Sequence, residues 1–291
     1  MSECTKADIA VIVLTFNEAA NLPQALSSVK GWAQEIFVLD SFSTDNTCEI
    51  AHAAGCVVVQ NRFVDYSKQR NYAIDHLPIQ SNWIVFLDAD EWLTEELKLE
   101  ISQVIASQPS ENGFYIKRRM IWMGRWIKRG YYPTWILRLF RRGYGRCEDR
   151  PVNEHLVVEG KIGYLRQDFI HEDRKGIDDW IAKHNRYATR EASELIGQEN
   201  QRQQQEIDVG LWGTQAERKR WLRYRVWNRM PPLARPFFYF VYRYFLTGAF
   251  LEGQAAFVYH FLHALWYPLL IDAKYLEMKQ ALKKSRYAGK D

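Results

Sequence analysis

At 291 residues, 47% of them hydrophobic and 25% charged, with a formal net charge of +4, the chain has room for one large globular domain or a domain with an appendage. That balance excludes an intrinsically disordered chain, a collagen-like repeat and a disulfide scaffold. Charge and aromatic rings are unevenly placed. Residues 215–291 carry fourteen Lys/Arg against five Asp/Glu and 18 of the 42 aromatic residues, a net of +9 that leaves −5 for the rest. An acidic front and a basic, aromatic back point to a nucleic acid or a membrane surface as partner.

Residues 1–8 hold acidic and polar side chains and no apolar run, so no secretory leader is expected. Cys4, Cys48, Cys56 and Cys147 form no C-x-x-C pair and no metal-finger spacing, which reads as reduced thiols in the cytosol. No dinucleotide glycine fingerprint, phosphate loop, H-E-x-x-H or G-x-S-x-G is present. In chain order, residues 9–15 (I-A-V-I-V-L-T) form a continuous apolar run, the mark of a strand buried on both faces of a parallel sheet. A helix is predicted over 19–30 and stopped by Gly31, a strand over 35–39 ending at Asp40, and a helix over 47–54 behind the capping residues 43–46. Strand 56–59, helix 66–76 and strand 83–87 follow, the last running into Asp88-Ala89-Asp90, and Thr94 caps the next helix. Alternating β and α units of this kind predict a doubly wound α/β domain with a mostly parallel sheet.

Such a fold places ligands at the carboxyl ends of its strands. The polar residues expected there are Thr15, Asn17 and Glu18, then Asp40, then Asp88 and Asp90. At a strand-to-loop turn Asp88 and Asp90 can converge on one hard cation, Mg or Mn, whose shell substrate phosphates complete. Such a cation neutralises a diphosphate as it leaves. Asp90 as a solvated turn residue is the plain alternative.

The runs V-L-T-F-N-E (13–18), V-L-D-S-F-S-T-D-N-T (38–47), K-Q-R-N-Y-A-I (68–74) and F-L-D-A-D-E-W-L (86–93) resemble the inverting family 2 glycosyltransferases of the GT-A fold, in order and in spacing. I-L-R-L-F-R-R (136–142), R-P-V-N-E-H (150–155), H-E-D-R (171–174) and G-A-F-L-E-G-Q-A-A-F (248–257) are similar to the lipopolysaccharide-core β-glucosyltransferase subgroup of bacteria. The resemblance implies a UDP-sugar donor. Thr15 and Glu18 then lie near the nucleotide, Asp40 accepts from the uracil N3–H, and Arg70 serves uracil and diphosphate. Asp88 approaches ribose and metal, and Asp90 ligates the metal. A carboxylate accepting from an N–H, and an Arg beside a diphosphate, are physically matched pairs.

Inverting transfer needs one carboxylate within reach of the acceptor hydroxyl's proton. Glu154 is the candidate base, in Pro151-Val152-Asn153-Glu154 where the subgroup usually shows Pro-Val-His-Glu; Glu148 and Asp149 are its neighbours and rivals. His171 is a candidate for the metal or the diphosphate, or a structural histidine. Arg138 is a candidate for the acceptor or a phosphate. The basic run 117–119, with Arg125, Lys128 and Arg129 among Trp122, Trp126 and Tyr131, reads equally as a solvated face or an acceptor loop.

In the tail, residues 217–229 predict a basic amphipathic helix with Trp221, Tyr224 and Trp227 on one face, a type that lies in a membrane interface. Pro231-Pro232 breaks it. Residues 253–271 contain no Lys, Arg, Asp or Glu, but Gln254, His260, His263 and Pro268 favour a re-entrant, interfacial or buried helix over a span. The expectation is a catalytic domain over 1–200 and a helical region for acceptor and membrane association over 201–291. The whole is expected as a transferase peripheral on the cytoplasmic face of the inner membrane, moving sugar from a UDP-sugar to a lipid-linked saccharide acceptor. No nucleic-acid partner is expected. The competing readings are a polyprenyl-phosphate sugar transferase, which needs no base, and a non-catalytic nucleotide-sugar or membrane-binding scaffold.

Overall fold

Alternate side chains of β1 (Ala7–Thr15) enter two different cores. Ile9, Val11 and Val13 face one side of the sheet with Leu22, Leu26 and Val29 of α1 (Leu22–Val29). Ala10 and Ile12 face the other with Ala73 of α3 (Tyr66–His76). This two-sided burial is why the strand is apolar throughout residues 9–14. In a computed structural model, which describes residues 6–148, 155–201 and 227–288, β1 pairs in parallel with β2 (Ala33–Asp40) and with β4 (Trp83–Asp88), and β2 pairs in parallel with β3 (Val57–Gln60). The crossovers are α1, α2 (Thr47–Ala53) and α3.

Beyond β4 the sheet becomes mixed. β8 (Thr134–Arg141) inserts antiparallel between β4 and β6 (Gly113–Trp122). β11 (Ile162–His171) runs parallel to β6, and β5 (Glu91–Leu93) closes the edge antiparallel to β11. The order is β3-β2-β1-β4-β8-β6-β11-β5, with the short β7 (Arg125–Trp126) beside β6. β9 (Gly145–Cys147) and β10 (Leu156–Val158) form a separate antiparallel pair. α4 (Glu95–Ala106) starts where Thr94 accepts from the Leu97 N–H at 3.2 Å, as its sequence predicts. α1 begins at Leu22, three residues later than expected. The Glu18 and Ala19 N–H groups are spent instead on Thr47 and Asp45 of the neighbouring loop.

The strands lie in a first compact unit, residues 1–126 and 132–176; a second unit takes residues 127–131 and 177–291. In the second unit α5 (Ile177–Gln201) packs along α8 (Tyr267–Ala288). α6 (Arg235–Phe240) continues through a π-helical turn (Val241–Leu246), and α7 (Gln254–His260) runs through another (Phe261–Trp266) into α8. Arg235 is buried on Asp272, its Nε 3.0 Å from both carboxylate oxygens. The segment Ile127–Tyr131 joins this unit: Ile127 is buried, the Lys128 and Arg129 N–H groups donate to Glu252, and Tyr131 meets Tyr259 edge-on. Position 130 must be glycine, because φ is +71° and a Cβ would stand 2.5 Å from the Arg243 carbonyl oxygen.

No helix among the described residues is long and apolar enough to cross a membrane. Residues 253–271 are helical almost throughout, and Ala255, Ala256, Tyr259, His260 and Ala264 are buried along one side. The predicted basic helix lies outside the described residues over 217–226.

Candidate functional site

The carboxyl ends of β1, β2 and β4 are the polar ends that the sequence marks out. At β1, Thr15 donates its hydroxyl to Asp40 at 2.9 Å. Asp40, at the end of β2 and fully buried, also accepts from the Ser43 N–H at 2.8 Å, the Ser43 hydroxyl and the Gln60 amide at 3.1 Å. Burial pushes its carboxyl up, but these donors outweigh it and hold the group below the usual value. Asn17 takes a left-handed conformation (φ +53°), which Asn tolerates. Its backbone donates to Ser43 and its side chain accepts from the Thr44 N–H, both at 2.8 Å, so the two strand-end loops are tied together.

Glu18 receives Lys175 at 2.6 Å and the Asn21 amide at 2.8 Å. Burial still raises its carboxyl above the ordinary value against those two donors, and the nearby charge of Asp90 adds to the rise. Asn21 also bonds Asp173 at 3.0 Å and the Arg174 N–H at 2.8 Å, which fastens the segment after β11 onto the β1 loop.

Asp88 ends β4 between two guanidinium groups: Arg138 Nη2 lies 2.6 Å from Oδ2 and Arg70 Nη2 3.3 Å from Oδ1. Burial raises the Asp88 carboxyl, and Arg138 and Arg70 overwhelm that, holding it well below the usual carboxylate range. Arg138 reaches from β8 and shares the same Nη2 with Glu91 at 2.6 Å. It is buried, in contact with both acids. Arg70, on α3, lies against the rings of Tyr66 and Phe86.

Asp90 is buried in the turn after β4. His171, the last residue of β11, brings Nδ1 to 3.4 Å from its Oδ1. That Nδ1 is buried and makes no hydrogen bond. A carboxylate oxygen beside an imidazole nitrogen that makes no hydrogen bond fits a divalent cation that takes its other ligands from phosphate and water. Among the described residues no three His, Cys, Asp or Glu are grouped to hold a metal alone.

The structure therefore brings together Thr15, Asn17, Glu18, Asp40, Arg70, Asp88, Asp90, Arg138 and His171. Glu154 and its rival Asp149 lie outside the described residues. Glu148 and His155, which flank that segment, are joined by a backbone hydrogen bond of 3.0 Å. Asn71 of α3 clamps Cys147 at both N–H and carbonyl (2.9 and 3.0 Å), and Ser67 donates to the Glu148 carbonyl. In the basic run of β6, Lys117 and Arg119 close on Asp168 at 3.3 and 3.2 Å, and Tyr132 donates to the same carboxylate. Sequence reasoning missed Glu91, Asn21, Lys175 and Asp168. Glu91 stands next to the D-A-D run and Lys175 one residue past H-E-D-R, so adjacency was the one signal available.

Residues 10–167 match the glycosyl transferase family 2 domain. An uncharacterized glycosyltransferase of Rickettsia bellii (strain RML369-C) is 31% identical over 210 residues, 68% of this chain and 71% of that protein. The lipopolysaccharide core biosynthesis glycosyltransferase LpsC of Rhizobium meliloti (strain 1021) is 29% identical over 203 residues, 66% of this chain and 73% of that protein. Among solved structures, glucosyl-3-phosphoglycerate synthase from Mycobacterium tuberculosis, in complex with Mn2+, UDP and glucosyl-3-phosphoglycerate, is similar at a TM-score of 0.31 and 21% identity. That likeness covers 41% of this chain and 46% of the synthase.

Proposed function

The chain belongs to glycosyl transferase family 2, and on that premise we propose that it transfers a sugar, with inversion, from a UDP-sugar to a saccharide of a lipid-anchored acceptor in lipopolysaccharide core or another cell-envelope glycan. The observation that carries this reading is the strand-end constellation: Asp88 held between Arg70 and Arg138, beside the Asp90–His171 pair. It supplies a cationic group, Arg70, for a diphosphate and an oxygen-nitrogen pair for Mg or Mn at one place.

In this reading Thr15, Asn17 and Glu18 shape the nucleotide pocket. Asp40 accepts from the uracil N3–H, with Gln60 giving way. Arg70 faces the diphosphate, and Arg138 fixes Asp88 and Glu91 from below. Glu154 takes the proton of the acceptor hydroxyl as its oxygen attacks C1. The bond from C1 to the diphosphate oxygen breaks on the opposite face, and its electron pair leaves with UDP, where Arg70 offsets the new charge. A divalent cation held by Asp90 and His171 would neutralise diphosphate charge. The acceptor reading follows the relative in lipopolysaccharide core biosynthesis and places the protein peripherally on the cytoplasmic face of the inner membrane.

The test is calorimetric titration of UDP with and without Mn2+, followed by turnover of a UDP-sugar panel on extracted lipid acceptors, read by mass spectrometry. Mn2+ is expected to tighten UDP binding, and Asp90→Ala to remove that gain. Glu154→Gln is expected to keep UDP affinity and lose about 10²–10⁴-fold in turnover. Metal-dependent UDP binding unchanged in Asp90→Ala overturns the site, and turnover within a few-fold of wild type in Glu154→Gln overturns the base.

A further inference from the structure

Between Leu233 and Phe261 eleven large apolar side chains are exposed, among them Leu246 at 75%, Leu251 at 64% and Phe238 at 63%. The same stretch contains three charged residues, and each is engaged within the second unit. Arg235 is buried on Asp272; Arg243 donates to the Tyr239 hydroxyl and lies over the Tyr131 ring; Glu252 accepts from the Lys128 and Arg129 N–H groups. The fold of the stretch is a helical hairpin. Residues 235–240 pack on 261–266 and residues 241–246 on 254–260, with Phe240 against Phe261 and Tyr244 against Phe257. Gly248 (φ +75°) and Gly253 (φ +82°) turn the chain at the tip, where Leu246, Phe250 and Leu251 stand exposed. Beside the tip are two exposed cations, Lys128 and Arg129, the latter with its guanidinium against Gly248.

We propose that this hairpin enters one leaflet of an anionic bilayer. Leu246, Phe250 and Leu251 reach the acyl region, Phe237, Phe238 and Tyr242 lie along the interface, and Lys128 and Arg129 meet lipid phosphates. An apolar surface this continuous marks a binding face in a soluble protein, and aromatic side chains flanked by cations are the chemistry of a membrane interface. Charge decides the occupant. A second copy placed face to face would set Lys128 and Arg129 against their own likes, whereas anionic headgroups neutralise them. The inference rests on the reading of a lipid-anchored acceptor above, and it assigns insertion to residues 237–257, apart from the basic segment 217–229.

The experiment is flotation of the full chain with phosphatidylcholine vesicles, with and without phosphatidylglycerol, at low salt. Wild type is expected to float with the anionic vesicles. Leu246→Ser with Leu251→Ser is expected to weaken binding on the order of a hundredfold. Lys128→Gln and Arg129→Gln each cost about fivefold, on anionic vesicles alone. All four side chains are exposed, so thermal unfolding of the variants should match wild type; if the leucine pair unfolds early, Phe238→Ser, with a smaller loss, reads the same contact. Wild type that stays with neither vesicle, or a leucine variant that floats as well as wild type, overturns the proposal. A wild-type dimer that the leucine variant dissociates overturns it in favour of a second copy. Turnover on detergent-dispersed acceptor is measured in parallel. Turnover without flotation removes the insertion alone, and flotation without turnover removes the transferase reading alone.

Discussion

Arg138 is the residue on which the acidic turn balances. Its Nη2 serves Asp88 and Glu91 at once, and Glu91 is fully buried, with its second oxygen accepting from the Asp88 N–H at 3.0 Å. Truncating one member of a buried ion cluster leaves uncompensated charge, so Arg138→Ala should destabilise the fold by about 3–5 kcal/mol. Urea unfolding measures it; a loss below 1 kcal/mol would mean the charges find other partners or water. His260 carries a different liability. It is fully buried, with Arg243, Tyr244 and Tyr259 around it and the Arg129 carbonyl 3.2 Å from Nε2. Burial, with Arg243 adding to it, lowers its pKa from 6.5 to about 4. A depressed pKa means that the unfolded chain binds the proton first. Stability is therefore intact above pH 6.5 and falls as pH drops toward 4, by about 3 kcal/mol from this one group. Melting temperatures of wild type and His260→Gln, compared from neutral pH downward, should show the wild type losing more. Neither residue's behaviour was readable beforehand. Asp88 and Asp90 were, because two acids behind an apolar strand are a local pattern, whereas Arg138 meets Asp88 from a strand fifty positions away.

At the level of elements, α3 does more than cross over the sheet. One side of it buries Ala73, and Arg70 approaches Asp88. Asn71 holds the end of β9 through both backbone groups of Cys147, and Ser67 holds the next carbonyl. These bonds fix where the chain departs toward Glu154. Asn71→Ala removes both side-chain bonds; on the proposal that Glu154 is the base, it is expected to lower turnover by about tenfold or more while UDP affinity stays within twofold, because displacing a base would affect the reaction and not the donor. Calorimetry and steady-state kinetics separate the two; an equal loss in both would assign Asn71 to the nucleotide pocket. The helix itself was legible to its terminal residues, since Asp65 caps it and the Lys68 N–H donates to that side chain at 2.7 Å. The strands past β4 were less so. β6 and β8 mix basic, aromatic and apolar residues, one face of β6 being only half buried, and nothing local in such a pattern sets the order in which strands pair.

For the whole molecule, the front half's alternation of apolar strands and amphipathic helices was enough to give the parallel part of the sheet and its polar, carboxyl-terminal end. The second unit was less legible, because its packing depends on a segment that the sequence places far away. Ile127–Tyr131 leaves the first unit between β7 and β8, and its glycine, its backbone donors and the Tyr131 ring are matched by residues between Arg243 and His263. This has a consequence in time. A ribosome adding about 5–20 residues per second completes the first sheet many seconds before the helices that receive Gly130 and Tyr131 exist. During synthesis the strand-forming half therefore carries a basic loop, Ile127–Tyr131, whose seat has not been made. The last helices to emerge complete the chain's final unit and also shelter a loop that has been waiting since the middle of translation.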